Sequence, residues 1–363
     1  MIAIVLGTRP EIIKMSPIIR ECEAKQIDYF ILHTGQHYSY EMDRAFFCDL
    51  ALPEPKYNLD VGSGSHAEQT SRILTGIERV LEKEAPDIVL VQGDTNTVLA
   101  GALAAAKLHI PIGHVEAGLR SFDRQMPEEI NRVVADHISD LLFAPTETAR
   151  QHLLHEGIPH DKILVTGNTV VDAVFQSLTI ARTKSNITET LGIMPKGYFL
   201  VTSHRQENVD SPETLHEIIR ALLAIHAEYS LPVIFPMHPR TKKMAQQFQL
   251  PLCGITVIDP MGFFDFLQLE SNARLILTDS GGVQEEACIL GVPCVTLRNT
   301  TERPETIDAG ANLLAGTGCD RIRAGVNEML NARRTWENPY GDGRAGVRIV
   351  ESILGMKGRC GEG

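Results

Sequence analysis

The chain has 363 residues and a mass of 40.0 kDa, and at ~150 residues per domain this length favours about two domains. Hydrophobic residues make up 43% of it and charged residues 22%, which is typical of a globular protein and unlike a disordered or fibrous chain. The 34 Lys and Arg against 46 Asp and Glu residues give a net charge of −12, which argues against nucleic acid and anionic membrane surfaces as partners.

The sequence also bears on compartment and redox chemistry. No segment reaches the ~18 to 20 consecutive apolar residues of a membrane span, and the N-terminal apolar stretch lacks the basic residues that open a signal peptide. The seven cysteines are odd in number and contain no Cys-x-x-Cys motif. We therefore expect a cytoplasmic protein with reduced thiols, no disulfide framework and no zinc or other metal site.

Short apolar runs alternate with longer segments of helical periodicity, the pattern of βα units around a parallel sheet. The first half contains the predicted strands Ile2–Leu6, Tyr29–His33, Ile88–Gln92, Ile112–Val115, Leu141–Ala144 and Ile163–Val165. The second half contains Phe199–Thr202, Val233–Phe235, Thr256–Ile258, Leu275–Leu277 and Cys294–Leu297. The fold class is therefore predicted to be α/β.

A segment with only a weak apolar pattern, Thr183–Gly197, separates the two sets of strands and is predicted to be a linker. We therefore predict two doubly wound, Rossmann-like domains, residues 1–182 and 183–343. Ligands of such sheets bind beyond the carboxyl ends of the strands. Two such edges facing each other would form a central cleft.

The first candidate loop follows the strand Ile2–Leu6. Gly7 permits a tight turn, Pro10 suits the first helical turn, and the start of the helix offers backbone N–H groups to an anion. Arg9 and Lys14 add cations at the same end of the helix. The segment predicts an anion site, although an ordinary turn with solvated charges would contain the same residues.

Carboxylates follow the neighbouring strand ends. Asp94 and Glu116 each come after an apolar strand, and Glu128 with Glu129 opens the next helix. Gathered at one sheet edge, three carboxylates would raise one another's pKa values and serve as acid or base. Taken singly, Asp94 also suits a helix cap, and the glutamate pair complements a helix dipole.

The second half carries the other candidate loops. His204 and Arg205 follow its first strand, where an imidazole would titrate near neutrality and a guanidinium would bind phosphate. Ser280-Gly281-Gly282 ends another strand and opens a helix, the geometry of a diphosphate site, with Glu286 placed to accept hydrogen bonds from a ribose diol. Arg303 follows as a possible phosphate clamp. A helix start with a flexible turn is the simpler alternative, and no Walker or Gly-x-Gly-x-x-Gly motif is present.

Taken in order, these stretches resemble the non-hydrolysing UDP-N-acetylglucosamine 2-epimerases, which share the two-domain GT-B fold. The resemblance extends over positions 7 to 343, and its segments are GTRPEIIK, QGDTNTVLAG, HVEAGLRS, MPEEINR, FAPTE, VTGNTVVDA, HRQEN, TDSGGVQEEA, TTERPET and NPYGDG. It implies that a last helix at 344–356 packs back on the first domain. It also implies a hinge between domains that closes on UDP, and a homodimer.

The reaction that the resemblance implies is epimerisation at C-2 of UDP-N-acetylglucosamine to UDP-N-acetylmannosamine. UDP is eliminated from C-1 as the C-2 proton is removed, 2-acetamidoglucal forms, and UDP adds back with the proton delivered to the other face. The reaction requires no nicotinamide, metal or other cofactor. Its product would supply cell-surface polysaccharide.

The resemblance also assigns roles. The catalytic residues that it implies are Asp94, Glu116, Glu128 and His204. The UDP-binding residues that it implies are Arg9, Lys14, Phe266, Ser280, Gly281, Gly282, Glu286 and Arg303, with Glu286 on the ribose and Phe266 near the uracil. A second, activating UDP-N-acetylglucosamine would contact Gln36, His37, Arg72 and His238. Where many relatives have Gln in the uracil loop this chain has Met261, so uracil is expected to be bound chiefly by backbone groups.

Other activities remain open at this point. The substrate of the epimerase could be a modified sugar such as a 2,3-diacetamido uronic acid, or the enzyme could hydrolyse its substrate and release free N-acetylmannosamine. A nucleotide-sugar sensor without catalysis would not need the catalytic residues listed above. A glycosyltransferase of the same fold would need an acceptor surface.

Overall fold

The structure is a computed structural model that describes residues 1–35, 40–333 and 335–359. The chain divides into two compact units, Met1–Gln176 with Tyr340–Gly363, and Ser177–Pro339. The chain therefore changes unit before Ser177 and again before Tyr340, whereas the sequence pattern places these changes at 183 and 344. The segment predicted as a linker contains a short helix, Ile187–Thr190.

The first unit is built on a seven-stranded parallel sheet. Its strands are β1 (Ile2–Leu6), β2 (Tyr29–His33), β3 (Tyr57–Asn58), β4 (Ile88–Gln92), β5 (Ile112–Val115), β6 (Leu141–Ala144) and β7 (Ile163–Val165), in the order β3-β2-β1-β4-β5-β6-β7. Its helices are α1 (Arg9–Ala24), α2 (Tyr40–Asp49), α3 (His66–Glu84), α4 (Asn96–Lys107), α5 (Pro127–Ile138), α6 (Glu147–His155) and α7 (Thr169–Lys184), which continues into the second unit. A 3-10 helix covers His160–Lys162.

The second unit is built on a six-stranded parallel sheet. Its strands are β8 (Phe199–Thr202), β9 (Val233–Pro236), β10 (Ile255–Ile258), β11 (Leu275–Thr278), β12 (Cys294–Thr296) and β13 (Asn312–Leu314), in the order β10-β9-β8-β11-β12-β13. Its helices are α8 (Ile187–Thr190), α9 (Gln206–Val209), α10 (Pro212–Tyr229), α11 (Pro239–Gln247), α12 (Phe263–Asn272), α13 (Gly281–Ile289), α14 (Pro304–Asp308) and α15 (Cys319–Asn331). The last helix, α16 (Ala345–Arg359), belongs to the first unit and packs on α1.

Both sheets confirm the predicted α/β class, and all eleven predicted strands are present, some with ends shifted by a residue. The strands form because they are short apolar runs that helices cover on both faces, and every residue of β1 and β4 is buried. The sequence missed β3 and β13. These have only two and three residues, and lie at sheet edges, where pairing with β2 and β12 defines them.

The strand orders decide which loops lie together. In the first sheet β4 lies between β1 and β5, so the loops that start at Gly7, Gly93 and Glu116 emerge side by side. In the second sheet β8 pairs with β11, which places the loop after Thr202 beside the loop after Thr278. These two sheet edges carry the candidate site residues.

None of the described helices is both long enough and apolar enough to cross a membrane. The six cysteines in the described part of the chain are all free thiols.

Candidate active site

The loop between β1 and α1 is held by a buried carboxylate. Gly7 has no room for a side chain, since a Cβ there would lie 2.1 Å from Thr34 Oγ1 and 2.3 Å from Thr97 Oγ1. Glu11 Oε2 accepts hydrogen bonds from the N–H groups of Gly7 (2.6 Å) and Thr8 (2.9 Å). The N–H groups expected to bind an external anion are therefore occupied by the chain's own Glu11.

Burial raises the pKa of Glu11 to about 7, although hydrogen bonds from Thr95, Gly7 and Thr8 oppose the shift. The Glu11 side chain also accepts a hydrogen bond of 2.5 Å from the Thr95 hydroxyl, beside Asp94. Glu11 thus links the first loop to the loop after β4.

Lys14 and Glu116, both predicted site residues, form an ion pair. Lys14 Nζ lies 2.8 Å from Oε1 and 2.7 Å from Oε2 of Glu116, and only 5% of the Glu116 side chain is exposed. Gln92 donates a further hydrogen bond to the same carboxylate. Glu116 has a φ of 69°, a left-handed conformation that costs a non-glycine residue about 1–3 kcal/mol and is frequent at functional sites.

The second predicted carboxylate, Asp94, is paired with Arg132 of α5. Arg132 in turn lies 2.6 Å from Glu129. Glu129 is buried and accepts hydrogen bonds from the N–H groups of Ser121 and Phe122, each at 3.0 Å, so it fixes the loop before α5. Of the two neighbouring glutamates Glu128 and Glu129, Glu129 therefore has a structural role.

Asp94 and Glu128 line one cavity of about 300 Å³, called here the carboxylate cavity. Its lining consists of Ser63, Gly64, His66, Gln69, Asp94, Thr95, Asn96, Pro127, Glu128 and Asn131. Glu128 is exposed and forms no ion pair within the described residues. The predicted carboxylates Asp94 and Glu128 thus meet, whereas Glu116 lies outside this lining and contacts Lys14.

A chain of side-chain amides forms part of this cavity. Asn131 Nδ2 donates to the carbonyl oxygen of Asp94 (2.9 Å) and to Asn96 Oδ1 (3.3 Å). Asn96 Nδ2 donates to Gln69 Oε1 (2.8 Å) and lies 3.3 Å from His66 Nδ1. Because the Asp94 carbonyl can only accept, the direction of the hydrogen bonds is fixed, and His66 Nδ1 accepts a hydrogen bond from Asn96. The ring then carries its proton on Nε2, and the sequence did not single out His66 as a site residue.

A buried histidine supports the loop that carries Asp94. His114 Nδ1 lies 2.7 Å from Asp136 Oδ1, and its Nε2 lies 2.8 Å from the carbonyl oxygen of Gly93. Both partners only accept, so both ring nitrogens donate. Burial by itself lowers the pKa of His114, but the Asp136 carboxylate and the Gly93 carbonyl outweigh it and raise the pKa. His114 thus anchors Gly93, the residue before Asp94.

In the second unit, Asp279 holds the loop after β8. Its fully buried carboxylate accepts hydrogen bonds from Ser203 Oγ (2.9 Å) and from the N–H groups of His204 (2.9 Å) and Arg205 (3.1 Å). Asn208 Nδ2 donates to it as well, at 3.1 Å. The ring atom Nδ1 of His204 lies 3.3 Å from Asp279 Oδ1, so one carboxylate sets both the backbone and the ring of His204. Asp279 was not among the predicted site residues.

His204 lines a second cavity of about 300 Å³, called here the histidine cavity. Its lining consists of Thr202, Ser203, His204, Pro236, His238, Pro260, Met261, Phe266, Ser280 and Val283. It therefore brings together the predicted residues His204, Phe266 and Ser280 with Met261. It also includes His238, which the sequence associated with a second ligand.

The start of α13 differs from the loops after β1 and β8 in the space and the backbone N–H groups that it leaves free among the described residues. A Cβ added at Gly281 would approach only Glu302 Oε2, at 3.9 Å, and one at Gly282 only Ser280 Oγ, at 4.0 Å. Packing within the chain therefore does not require glycine at either position. Within the described residues, the N–H groups of Gly281 and Gly282 have no hydrogen-bond acceptor. This helix start offers donors to an external anion.

Charged residues flank α13. Arg303 Nε lies 2.6 Å from Oε1 of the buried Glu285, which fixes the predicted phosphate clamp against the helix. Glu286, the predicted ribose partner, is half-buried on the same helix. Glu302 is bound by Arg298, and hydrogen bonds from Arg298 lower the pKa of Glu302 to about 2.

Some predicted residues fall elsewhere. Gln36 and His37 lie outside the described residues. Arg72 is exposed on α3 and lines neither the carboxylate cavity nor the histidine cavity. Arg9 lies at the start of α1, with its guanidinium carbon 5.7 Å from the centre of the Phe46 ring.

Comparisons with known sequences and structures match this chain to nucleotide-sugar 2-epimerases. The sequence profile of the family UDP-N-acetylglucosamine 2-epimerase matches residues 20–354. The chain is 57% identical to UDP-N-acetylglucosamine 2-epimerase of Methanocaldococcus jannaschii over 97% of this chain and 98% of that protein. It is similar to the crystal structure of the M. jannaschii UDP-GlcNAc 2-epimerase in complex with UDP-GlcNAc and UDP (TM-score 0.84, 56% identity, 97% of this chain and 99% of that one). It is also 42% identical to UDP-2,3-diacetamido-2,3-dideoxy-D-glucuronate 2-epimerase of Pseudomonas aeruginosa, over 96% and 98% of the two chains.

The raised pKa of Glu11 predicts a pH dependence of stability. Between pH ~4.5 and ~7 the unfolded chain has lost a proton that the folded chain retains, so the free energy of unfolding falls as the pH rises. Glu11→Gln keeps an acceptor oxygen for the N–H groups of Gly7 and Thr8 and does not titrate. Relative to E11Q, the wild type should lose about 3 kcal/mol across this range, measured by urea unfolding followed by far-UV circular dichroism.

Glu78→Gln, an exposed substitution on α3, is the matched control and should leave the pH profile unchanged. Parallel profiles for wild type and E11Q would contradict the prediction.

Proposed function

Because the chain belongs to the UDP-N-acetylglucosamine 2-epimerase family, we propose that it catalyses the reversible inversion of C-2 of UDP-N-acetylglucosamine to give UDP-N-acetylmannosamine. We further propose the non-hydrolysing route, in which UDP leaves C-1, 2-acetamidoglucal forms and UDP adds back. The product would serve as a precursor for cell-surface polysaccharide.

The observation that carries the proposal is the helix start at Gly281 and Gly282. Its N–H groups lack acceptors within the described residues, and the histidine cavity beside it contains Phe266 and Met261, apolar side chains suited to a base. A nucleoside diphosphate has both the anionic and the planar apolar parts that this arrangement requires. The carboxylates of the first unit then provide acid and base groups for the sugar.

The chemistry explains the need for several carboxylates. The C-2 proton of a 2-acetamido sugar is barely acidic, so its removal is coupled to departure of the leaving group. The C-2–H bond and the anomeric C–O bond break, a C-1=C-2 double bond forms, and UDP leaves with the electron pair. Protonation on the other face requires a second group, and Asp94, Glu116 and Glu128 are the candidates for these two roles.

The charges of the site match these roles. Lys14 and Arg132 give Glu116 and Asp94 a counter-charge. In the second unit the leaving diphosphate gains negative charge, and preorganised N–H donors at the start of α13 would stabilise it, with His204 in support.

The carboxylate cavity favours a neutral sugar over a uronic acid. Asp94 and Glu128 line it, and no Lys or Arg is among its described lining residues. A carboxylate at C-6 of the substrate would be repelled by Glu128, whereas the charge of Asp94 is already balanced by Arg132. This favours UDP-N-acetylglucosamine over the substrate named for the P. aeruginosa relative.

The direct test is incubation of the protein with UDP-N-acetylglucosamine in deuterated water, followed by proton NMR. We expect the manno product to appear and C-2 to carry deuterium, because the removed proton exchanges with solvent. Stoichiometric release of free UDP and N-acetylmannosamine would instead indicate the hydrolysing reaction. Persistent protium at C-2 without product would refute epimerase activity.

The same assay predicts substrate choice. With equal concentrations of UDP-N-acetylglucosamine and the UDP-2,3-diacetamido uronic acid, kcat/KM should be higher for the neutral sugar because the cavity repels an added carboxylate. Equal values, or a preference for the uronic acid, would contradict this reading of the cavity.

Asp94→Asn keeps the shape of the side chain but removes the negative charge. Turnover should fall by about 10²–10⁴-fold, as for loss of a general acid or base, while UDP binding measured by calorimetry stays unchanged. Asp161→Asn, exposed in the 3-10 helix at His160–Lys162, is the control and should keep full turnover. Full activity of D94N would remove Asp94 from the catalytic set.

A further inference from the structure

His114 is a polar side chain inside an apolar sheet. It lies in β5, between β4 and β6, and is fully buried. Its Nδ1 lies 2.7 Å from Asp136 Oδ1, and its Nε2 lies 2.8 Å from the carbonyl oxygen of Gly93. Buried polar groups are costly without partners, and both ring nitrogens of His114 have one. The first partner is a charge on α5, and the second is the backbone next to Asp94.

Both contacts are hydrogen bonds only if the ring carries two protons. A carbonyl oxygen and an ionised carboxylate only accept, whereas a neutral imidazole has a single N–H group and would leave a nitrogen lone pair facing an acceptor. Asp136 is ionised, because burial alone would raise its pKa but the charges and hydrogen bonds of His114 and Arg120 lower it. His114 is therefore an imidazolium ion in the folded protein.

The charge of His114 is balanced within the first unit. Asp136 Oδ2 lies 2.7 Å from Arg120 Nη1, and Arg120 binds the two carboxylate oxygens of Glu156 at 2.7 Å each. Two cations and two anions thus alternate along this cluster. The pairing lowers the cost of keeping an imidazolium ion away from water.

The same carboxylate connects two loops of the site. Asp136 Oδ2 accepts a hydrogen bond of 3.2 Å from the N–H group of Gly118, two residues after Glu116. Through His114, the carboxylate also holds the residue before Asp94. One buried charge thus fixes the loops of two candidate acid–base residues relative to each other.

The contact with Gly93 acts directly on the backbone of Asp94. The Gly93 carbonyl group and the Asp94 N–H group belong to one planar peptide unit, so a hydrogen bond to that carbonyl also orients Asp94. Gly93 has a φ of 85°, and its N–H group donates to the carbonyl oxygen of Val115 at 3.1 Å. Residues of β5 therefore hold both sides of the turn that presents Asp94. A displacement of about 1 Å at a reacting group costs about 10²-fold in rate.

We propose that His114, as a buried imidazolium ion, is a positioning residue for the reaction, because it holds the Gly93 carbonyl group and thereby fixes the peptide unit from which the Asp94 side chain extends. The inference rests on the proposed function, since it takes Asp94 as a group that transfers a proton at C-2 of the sugar.

The test is a double-mutant cycle with His114→Gln, Asp94→Asn and the double variant, in which turnover of UDP-N-acetylglucosamine is followed by proton NMR. Glutamine offers an amide of similar reach without the positive charge. We expect H114Q to lower kcat about 10- to 10²-fold with little change in KM, because the groups that bind the nucleotide are unaltered. In the D94N background the same substitution should lower kcat by less than ~2-fold, because the carboxylate that His114 positions is already absent.

The cycle distinguishes positioning from a general loss of structure. A purely structural role predicts the same fractional loss of kcat in both backgrounds, because a partly unfolded protein loses activity whether position 94 is Asp or Asn. His155→Gln, the same substitution at an exposed position of α6, is the control and should keep the wild-type kcat and KM.

A second measurement covers the case in which H114Q does not fold. Nitrogen NMR of the wild type with isotope-labelled histidine at neutral pH should show that both ring nitrogens of His114 are protonated, with N–H protons that exchange slowly with water. The ring is assigned from its through-space contacts with the neighbouring residues of β4 and β6. A single protonated nitrogen overturns the proposal.

The outcomes separate this inference from the proposed function. Equal fractional losses of kcat in the two backgrounds, or an H114Q variant with the wild-type kcat, overturn the role of His114 and leave the epimerase proposal standing. A wild type without turnover contradicts both.

Discussion

The site loops depend on one interaction, the hydrogen bonds that buried carboxylates accept from backbone N–H groups where strands end. Glu11 binds the N–H groups of Gly7 and Thr8 after β1. Asp279 binds those of His204 and Arg205 after β8. A loop that follows the carboxyl end of a strand has no neighbouring strand to accept hydrogen bonds from its N–H groups. A buried acid of the chain accepts them instead and thereby fixes the loop conformation. Without these acids the N–H groups of the loops would lose their acceptors.

The same arrangement explains two pairs of adjacent glutamates. In α5 the buried Glu129 holds the preceding loop, and Glu128 lines the carboxylate cavity. In α13 the buried Glu285 binds Arg303, and Glu286 is half-exposed. Adjacent residues of a helix point about 100° apart, so one member of each pair is buried and the other is exposed or half-exposed. The buried acid of each pair thus binds a neighbouring loop, and the acid beside it is the one that was predicted to contact the ligand.

The sequence predicted the sheets well because apolar runs and helical periodicity are local signals, and it failed only for β3 and β13, which depend on pairing with a neighbour. It also singled out loops whose residues Asp94 and His204 line the two cavities. It did not distinguish an acid that accepts backbone hydrogen bonds from one that faces a cavity, because both occur at strand ends. Asp279 was missed for this reason, and His66 was missed because its contact with Asn96 joins residues distant in the sequence.

The loops differ in whether their backbone N–H groups already bind an acid of the chain. This difference decides where a protein with a net charge of −12 can bind an anion. Acids occupy the donors after β1 and β8, so an external phosphate would have to displace Glu11 or Asp279 there. At Gly281 and Gly282 the donors have no acceptor within the described residues, and the acid nearest to Gly281, Glu302, is already paired with Arg298. Of the three positions, this helix start would therefore bind a diphosphate at the lowest electrostatic cost, although the protein as a whole is acidic.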